Sequence, residues 1–151
     1  FLTPEQYLLG RSKLMLGALV LFAFPGSPMI YYGDEAGIEG FEDPFNRRTY
    51  RWEMTDDVLC RWYTRLGKAR RELAALRRGS LRWQNAEGRL LAFLREGEDV
   101  PVLTAVNTGK EPALITLPWQ ARDWMTGMEL PAGQVALPPM TGWLLTPYKP
   151  E

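Results

Sequence analysis

Residues Pro25 to Glu35, PGSPMIYYGDE, are the stretch on which the fold turns. A proline and a glycine open it. Met29-Ile30-Tyr31-Tyr32 follow with no polar alternation, and Gly33 stands before two adjacent carboxylates, Asp34 and Glu35. An unalternating apolar run of this length predicts a short strand buried on both faces, as in parallel sheets covered by helices. Upstream, Thr3-Pro4-Glu5-Gln6 reads as a helix start. Thr3 can cap, Pro4 suits the first helical position, and Gln6 completes a capping box. The predicted helix runs to about Phe24. From Leu14 to Phe22 it is apolar all round, so it needs burial on several sides.

Downstream, Asp34 to Glu53 reads as a long loop punctuated by Gly37, Gly40 and Pro44. Its aromatics Phe41, Phe45, Tyr50 and Trp52 argue for order, and a loop this long in a compact domain is usually functional. Thr55-Asp56-Asp57 caps a second helix to about Arg78. Its apolar stripe is Val58, Leu59, Trp62, Leu66, Ala69, Leu73 and Leu76. The other face carries Arg61, Arg65, Lys68, Arg70, Arg71 and Arg77. It reads as a solvated cationic face, not a nucleic-acid patch, because no basic excess extends beyond it. After Gly79 the texture becomes short strands and turns: Leu81–Gln84, Leu90–Arg95, Val102–Asn107, Ala113–Leu117, Arg122–Met125, Gln134–Leu137 and Gly142–Thr146. Such spacing predicts an antiparallel sandwich or barrel. The expected domain boundary is Arg78–Ser80, giving units 1–78 and 79–151.

The predicted buried strand needs neighbours on both sides. None is supplied before the β-rich half, so the first half reads as unfinished. The opening Phe1-Leu2, without an initiator methionine, is what an excised piece would look like. The totals narrow the chemistry. The 151 residues carry eighteen basic and eighteen acidic side chains, which gives no global attraction to nucleic acid or anionic membrane. The longest apolar run, Leu14 to Phe24, is about half of the roughly 20 residues a membrane span needs. No Ala-x-Ala site follows it, so a signal peptide is not expected. One cysteine, Cys60, excludes an internal disulfide and suits a reducing, cytoplasmic compartment. There is no histidine, which removes the usual triad base and the commonest metal ligand. No cofactor or metal is expected. Trp119, Trp124 and Trp143 alternate along strands and are expected in the core.

PGSPMIYYGDE resembles the eighth-strand signature of the alpha-amylase family of glycoside hydrolases. DPFNRRTYRWE, Asp43 to Glu53, is similar to a loop of its neopullulanase, cyclomaltodextrinase and maltogenic amylase branch. YTRLGKARRELAALRRGSLRW, Tyr63 to Trp83, resembles the last barrel helix running into the C-terminal domain, and LLAFLRE with VPVLTAVNTG resembles that domain's opening strands. The resemblance implies a fold of α/β plus all-β class. Residues 1–78 would be helix seven, strand eight and helix eight of a (β/α)8 barrel, followed by an antiparallel β-sandwich. It implies retaining hydrolysis of α-glucosidic bonds by two carboxylates roughly 5 Å apart, with a third, stabilising aspartate. All three positions would precede Phe1. No catalytic residue is therefore assigned, and the chain alone is expected to be inactive. The matching contact positions are Asp43 and Arg47, implied to touch the sugar on the non-reducing side of the cut. A carboxylate accepts sugar hydroxyls and a guanidinium donates a planar fork. The plainer alternative is a local Asp43–Arg47 ion pair that pins the loop.

Asp34, Glu35 and Trp52 are expected at the mouth of the site. Asp34 and Glu35 could act as acid and base, but successive side chains at a strand end diverge. Orienting the mouth loops by hydrogen bonds is the better reading. The expected partners are an α-glucan oligosaccharide in the intact parent and either the remaining barrel or a second copy against the apolar first helix. The alternative function is a non-catalytic carbohydrate-binding or oligomerisation module.

Overall fold

The structure, a computed structural model, describes residues 2–149. Helix α1 spans Pro4–Ala23 and starts as the sequence predicts. The Thr3 hydroxyl accepts from the Gln6 amide at 3.2 Å, and the Gln6 side chain accepts from the Thr3 amide at 2.9 Å, so two otherwise orphaned donors are satisfied. Helix α2 spans Asp57–Glu72 and α3 spans Ala74–Arg78. The sequence predicts one continuous helix here. Instead Leu73 leaves helical geometry (φ −92°, ψ 97°) and its side chain joins the core beside Ala69 and Leu76. Neither a glycine nor a proline marks that break; burial of Leu73 drives it.

Eight strands follow among the described residues: β1 Ser80–Glu87, β2 Leu90–Glu96, β3 Val102–Asn107, β4 Ala113–Leu117, β5 Ala121–Asp123, β6 Glu129–Leu130, β7 Gly133–Leu137 and β8 Thr141–Pro147. Only the two-residue β6 lacked a sequence signal, being too short for any periodicity. Six strands form one antiparallel sheet in the order β1-β2-β3-β8-β5-β6, and β4 pairs with β7 in a second. The central strand β3 is buried at every residue because it has a layer on each side. Val102 and Val106 pack with Leu19, Leu66 and Leu144 beneath the helices. Leu103 and Ala105 pack with Ile115, Leu117 and Leu137 of the two-stranded sheet. Trp143 is in that second core, and Trp119 and Trp124 pack against the two cores as expected.

Helix α1 sits close on β8 because residue 142 is glycine. A β-carbon there would fall 2.6 Å from Leu19 Cδ2 and 3.0 Å from Leu16 Cδ2. Asp123, at the end of β5, is almost wholly buried and accepts from the Leu144 amide at 2.9 Å and the Thr126 hydroxyl at 2.6 Å. Burial pushes its carboxyl above the ordinary range, against the pull of those hydrogen bonds. Thr104, on the helix-facing side of β3, is fully buried and its hydroxyl has no partner among the described residues. Thr104→Val should therefore raise stability by about 1 kcal/mol, read as a higher urea midpoint at unchanged slope; a loss would mean the hydroxyl is satisfied.

The predicted strand at Met29–Tyr32 is not one. No strand includes these residues, and Met29 is 82% exposed, with Ile30, Tyr31 and Tyr32 also largely open. The physical reason is that a strand needs a ladder partner and no described residue offers one. The cationic face is exposed at Arg61, Arg65, Lys68, Arg71 and Arg77, as expected, and half-buried at Arg70. Arg70 donates to the carbonyls of Phe22 at 2.6 Å and Phe24 at 3.1 Å and also to Gly26. Arg77 donates to the carbonyls of Arg70 and Arg71, and Arg65 to that of Met125. Helix α1 has no basic residue in its own last turn, so Arg70 supplies the cation its C-terminus attracts.

Candidate functional site

The candidate site is the loop from Gly33 to Met54, held by four anchors. The first is a 3-10 turn over Asp34–Ala36, entered through Gly33 and left through Gly37, both at positive φ. At Gly37 a side chain would also run into the Tyr7 hydroxyl and Asp56 Cβ, so only glycine fits. The second anchor is the pair Tyr31 and Tyr32. Their rings pack at 5.0 Å, and their hydroxyls donate to the carbonyls of Asn46 (3.4 Å) and Arg48 (2.8 Å). The third is Asp56, the cap of α2. Its carboxylate accepts from the amides of Val58 and Leu59, from the Tyr7 hydroxyl at 2.8 Å and from Arg11 at 3.1 Å, while its own amide donates to Ala36. Burial and the Asp56 hydrogen bond push the Tyr7 phenol up to about 12. The fourth is the Arg48 guanidinium over the Phe41 ring, 5.6 Å from its centre.

Asp43 and Arg47 lie in a turn closed by the Phe45 amide on Glu42 and the Arg47 amide on Pro44. They form the local ion pair, Nε to Oδ1 at 2.8 Å, and both are mostly exposed. An exposed pair is worth little, ~0.5 kcal/mol. Asp43→Asn and Arg47→Gln should each leave thermal stability unchanged within about 0.5 kcal/mol; a larger loss would make the pair a structural pin.

Asp34 and Glu35 sit in the 3-10 turn rather than at a strand end. Burial, then the neighbouring Glu35 charge, raises the Asp34 carboxyl. Glu35 accepts from the Gly33 amide at 3.0 Å and faces the Tyr50 hydroxyl, which is raised by desolvation and by that contact. Tyr50 packs on Trp52 with ring centres 4.6 Å apart, and Trp52 is 82% exposed. Between α1 and the loop lies an open groove of about 670 Å³ reached by Tyr7, Ile38, Glu39, Arg48 and Arg51. Asp34, Glu35, Asp43, Arg47 and Trp52 do not line it. Sequence reading missed the roles of Tyr7, Arg11, Tyr31 and Tyr32. The spacing of Tyr7 and Arg11 on one helix face was a usable signal; the two tyrosines were hidden inside a run that looked like strand. Among the described residues no group of His, Cys, Asp or Glu could hold a metal ion, and no helix is long and apolar enough to cross a membrane.

Carboxylates, arginines and exposed aromatics on one ordered loop are chemistry suited to polyhydroxyl ligands. The chain is 36% identical over 104 residues to a cyclomaltodextrinase of Bacillus sp., covering 66% of this chain and 19% of that protein. It is 33% identical over 149 residues to neopullulanase 2 of Thermoactinomyces vulgaris, covering 89% of this chain and 26% of that protein. Among solved structures, an Anoxybacillus alpha-amylase matches 93% of this chain and 33% of its own, at TM-score 0.82 and 28% identity. The chain belongs to the alpha-amylase family. No protein-family model matches it. It corresponds to the family's C-terminal region and spans about a fifth to a quarter of the length of these curated relatives. The helices and antiparallel sheet described above are the part it shares with the family's structures.

Proposed function

We propose that this alpha-amylase family chain is the C-terminal part of a retaining hydrolase of α-1,4 or α-1,6 glucosidic bonds in substrates such as maltooligosaccharides, cyclodextrins or pullulan. In this reading residues 1–78 close a (β/α)8 barrel and residues 79–151 form its β-sandwich domain. The observation that carries it is the open Met29–Tyr32 segment, which belongs to no strand, in a chain matching only a small share of each relative. Apolar and aromatic residues left this open forgo the stabilisation that burial would give. Flanked by parallel neighbours they become the last inner strand, and the loop after them lies at the barrel mouth where such sites are built. Leu8, Leu9 and Leu21 of α1, also exposed, then face the rest of the barrel or a second copy. The catalytic carboxylates come from that barrel, and this chain supplies contacts.

Asp43 and Arg47 contact the sugar, their ion pair holding a carboxylate and a fork of donors ready for hydroxyls. Asp34, Glu35 and Trp52 shape the mouth. The lone thiol, Cys60, suits a cytoplasmic location. The test is turnover. The chain alone should hydrolyse none of the three substrates, and the same chain joined to a family barrel should hydrolyse at least one. In the joined enzyme Asp43→Asn and Arg47→Gln should raise KM. Turnover by the chain alone would overturn the reading. The exposed Tyr50–Trp52 pair favours a second reading, sugar binding without catalysis; titrating maltooligosaccharide against tryptophan fluorescence tests it, and no saturable response removes it.

A further inference from the structure

We propose that the groove between α1 and the β1–β2 hairpin binds a medium-chain carboxylate, with its alkyl body on the groove floor and its carboxylate between Lys13 and Arg89. This inference does not rest on the glucan reading, because the groove shares no residue with the Gly33–Met54 loop.

The groove follows from how α1 docks. The helix is drawn onto β8 at Gly142, and beside that contact a cavity of about 340 Å³ stays open toward the hairpin turn at Gly88 and Arg89. Its floor is Leu16, Val20, Leu91 and Val106, and its rim is Lys13 and Arg89. Among the described residues no acidic side chain lines it. An apolar floor under two cations complements a ligand with an apolar body and one negative end. The volume lies near the lower end of small-molecule sites, ~300 Å³, so a single alkyl chain fits where a docked helix would not.

Gly17 supplies an independent observation. It lies inside α1 and on the groove wall, and a β-carbon built there meets nothing within 4 Å. Glycine inside a helix costs about 1 kcal/mol relative to alanine. No contact within the described residues demands that cost, and because Gly17 lines the groove a larger residue there would take up space at its wall.

The probe is decanoate, titrated calorimetrically into the protein below its micellar concentration. The expected result is saturation at one site per chain. Lys13→Gln with Arg89→Gln should weaken binding about tenfold, since two partly exposed ion pairs are lost. Gly17→Leu should abolish binding with unchanged far-ultraviolet circular dichroism; if that spectrum changes, Gly17→Ser serves, with a partial loss expected. Absence of saturation would overturn the proposal. So would decanol or decylammonium binding as tightly as decanoate, or full affinity in both Gly17 variants. A dimer in light scattering that Gly17→Leu dissociates would place a second copy in the groove and also overturn it.

Discussion

Replacing Arg95 by methionine is expected to cost about 4 kcal/mol, the largest single-residue loss in the molecule outside its apolar core. Arg95 is 1% exposed, at the end of β2. Its guanidinium donates to the carbonyls of Ala23 (2.7 Å), Leu76 (2.9 Å), Gly79 (2.8 Å) and Ser80 (3.3 Å). Ala23 is the last residue of α1, and Leu76 belongs to the last turn of α3. One side chain from the sheet therefore satisfies orphan carbonyls of two helices, with its charge against the negative end of each helix dipole. Among the described residues no carboxylate partners it, so the favourable electrostatics come from the carbonyls, and burial lowers its pKa first, with Arg70 adding to that. Methionine keeps the volume but leaves the carbonyls buried without donors, at about 1–3 kcal/mol for each such group. Arg95→Lys keeps the charge but not the fork, and should lose about half as much. Urea unfolding measures both. A loss under about 1 kcal/mol for methionine would show that the helix ends are satisfied without Arg95.

Asp56→Ala is expected to cost about 3 kcal/mol, combining the loss of an N-cap, about 1 kcal/mol, with the Tyr7 and Arg11 contacts left unpaired. Asp56→Asn keeps an acceptor for the Val58 and Leu59 amides and should cost about 1 kcal/mol. The difference between wild type and Asp56→Asn should depend on pH. Burial alone would raise this carboxyl, but the donors Tyr7, Leu59, Arg11 and Val58 hold it below its ordinary 3.8. A carboxyl lowered in the folded state contributes stability that is present above the unfolded value and lost as pH falls through the folded one. The wild-type advantage should therefore be constant near neutrality and shrink below about pH 3.8. An advantage that stays constant to pH 2 would contradict the assignment.

The elements with strong local signals were legible. The Thr3–Gln6 box, the Asp56 cap, the stripe of α2 and seven of eight strands follow from capping chemistry and periodicity. What the sequence could not show was where long polar side chains end. Arg70 and Arg95 look like surface cations by composition, and only the meeting of helix ends with the sheet makes them internal donors. Leu73 breaks a helix without a breaker residue because its side chain is wanted in the core. In the candidate site the loop and its residues could be named, and the Asp43–Arg47 pair was one of two expected outcomes. The role of Tyr31 and Tyr32 as a clamp was not visible, because their apolar run has strand texture. They are strand-like in sequence and open in the structure for one reason: the ladder partners such a run implies are not among the described residues.

Amide hydrogen exchange across Met29–Tyr32 in the 151-residue chain tests that point most directly. Free exchange there, with strong protection at Phe93 to Leu94 and at Leu103 to Val106, is the predicted result. Protection at Met29–Tyr32 equal to that of β2 and β3 would mean the segment already has its partners, and the proposal that it completes a barrel would fall.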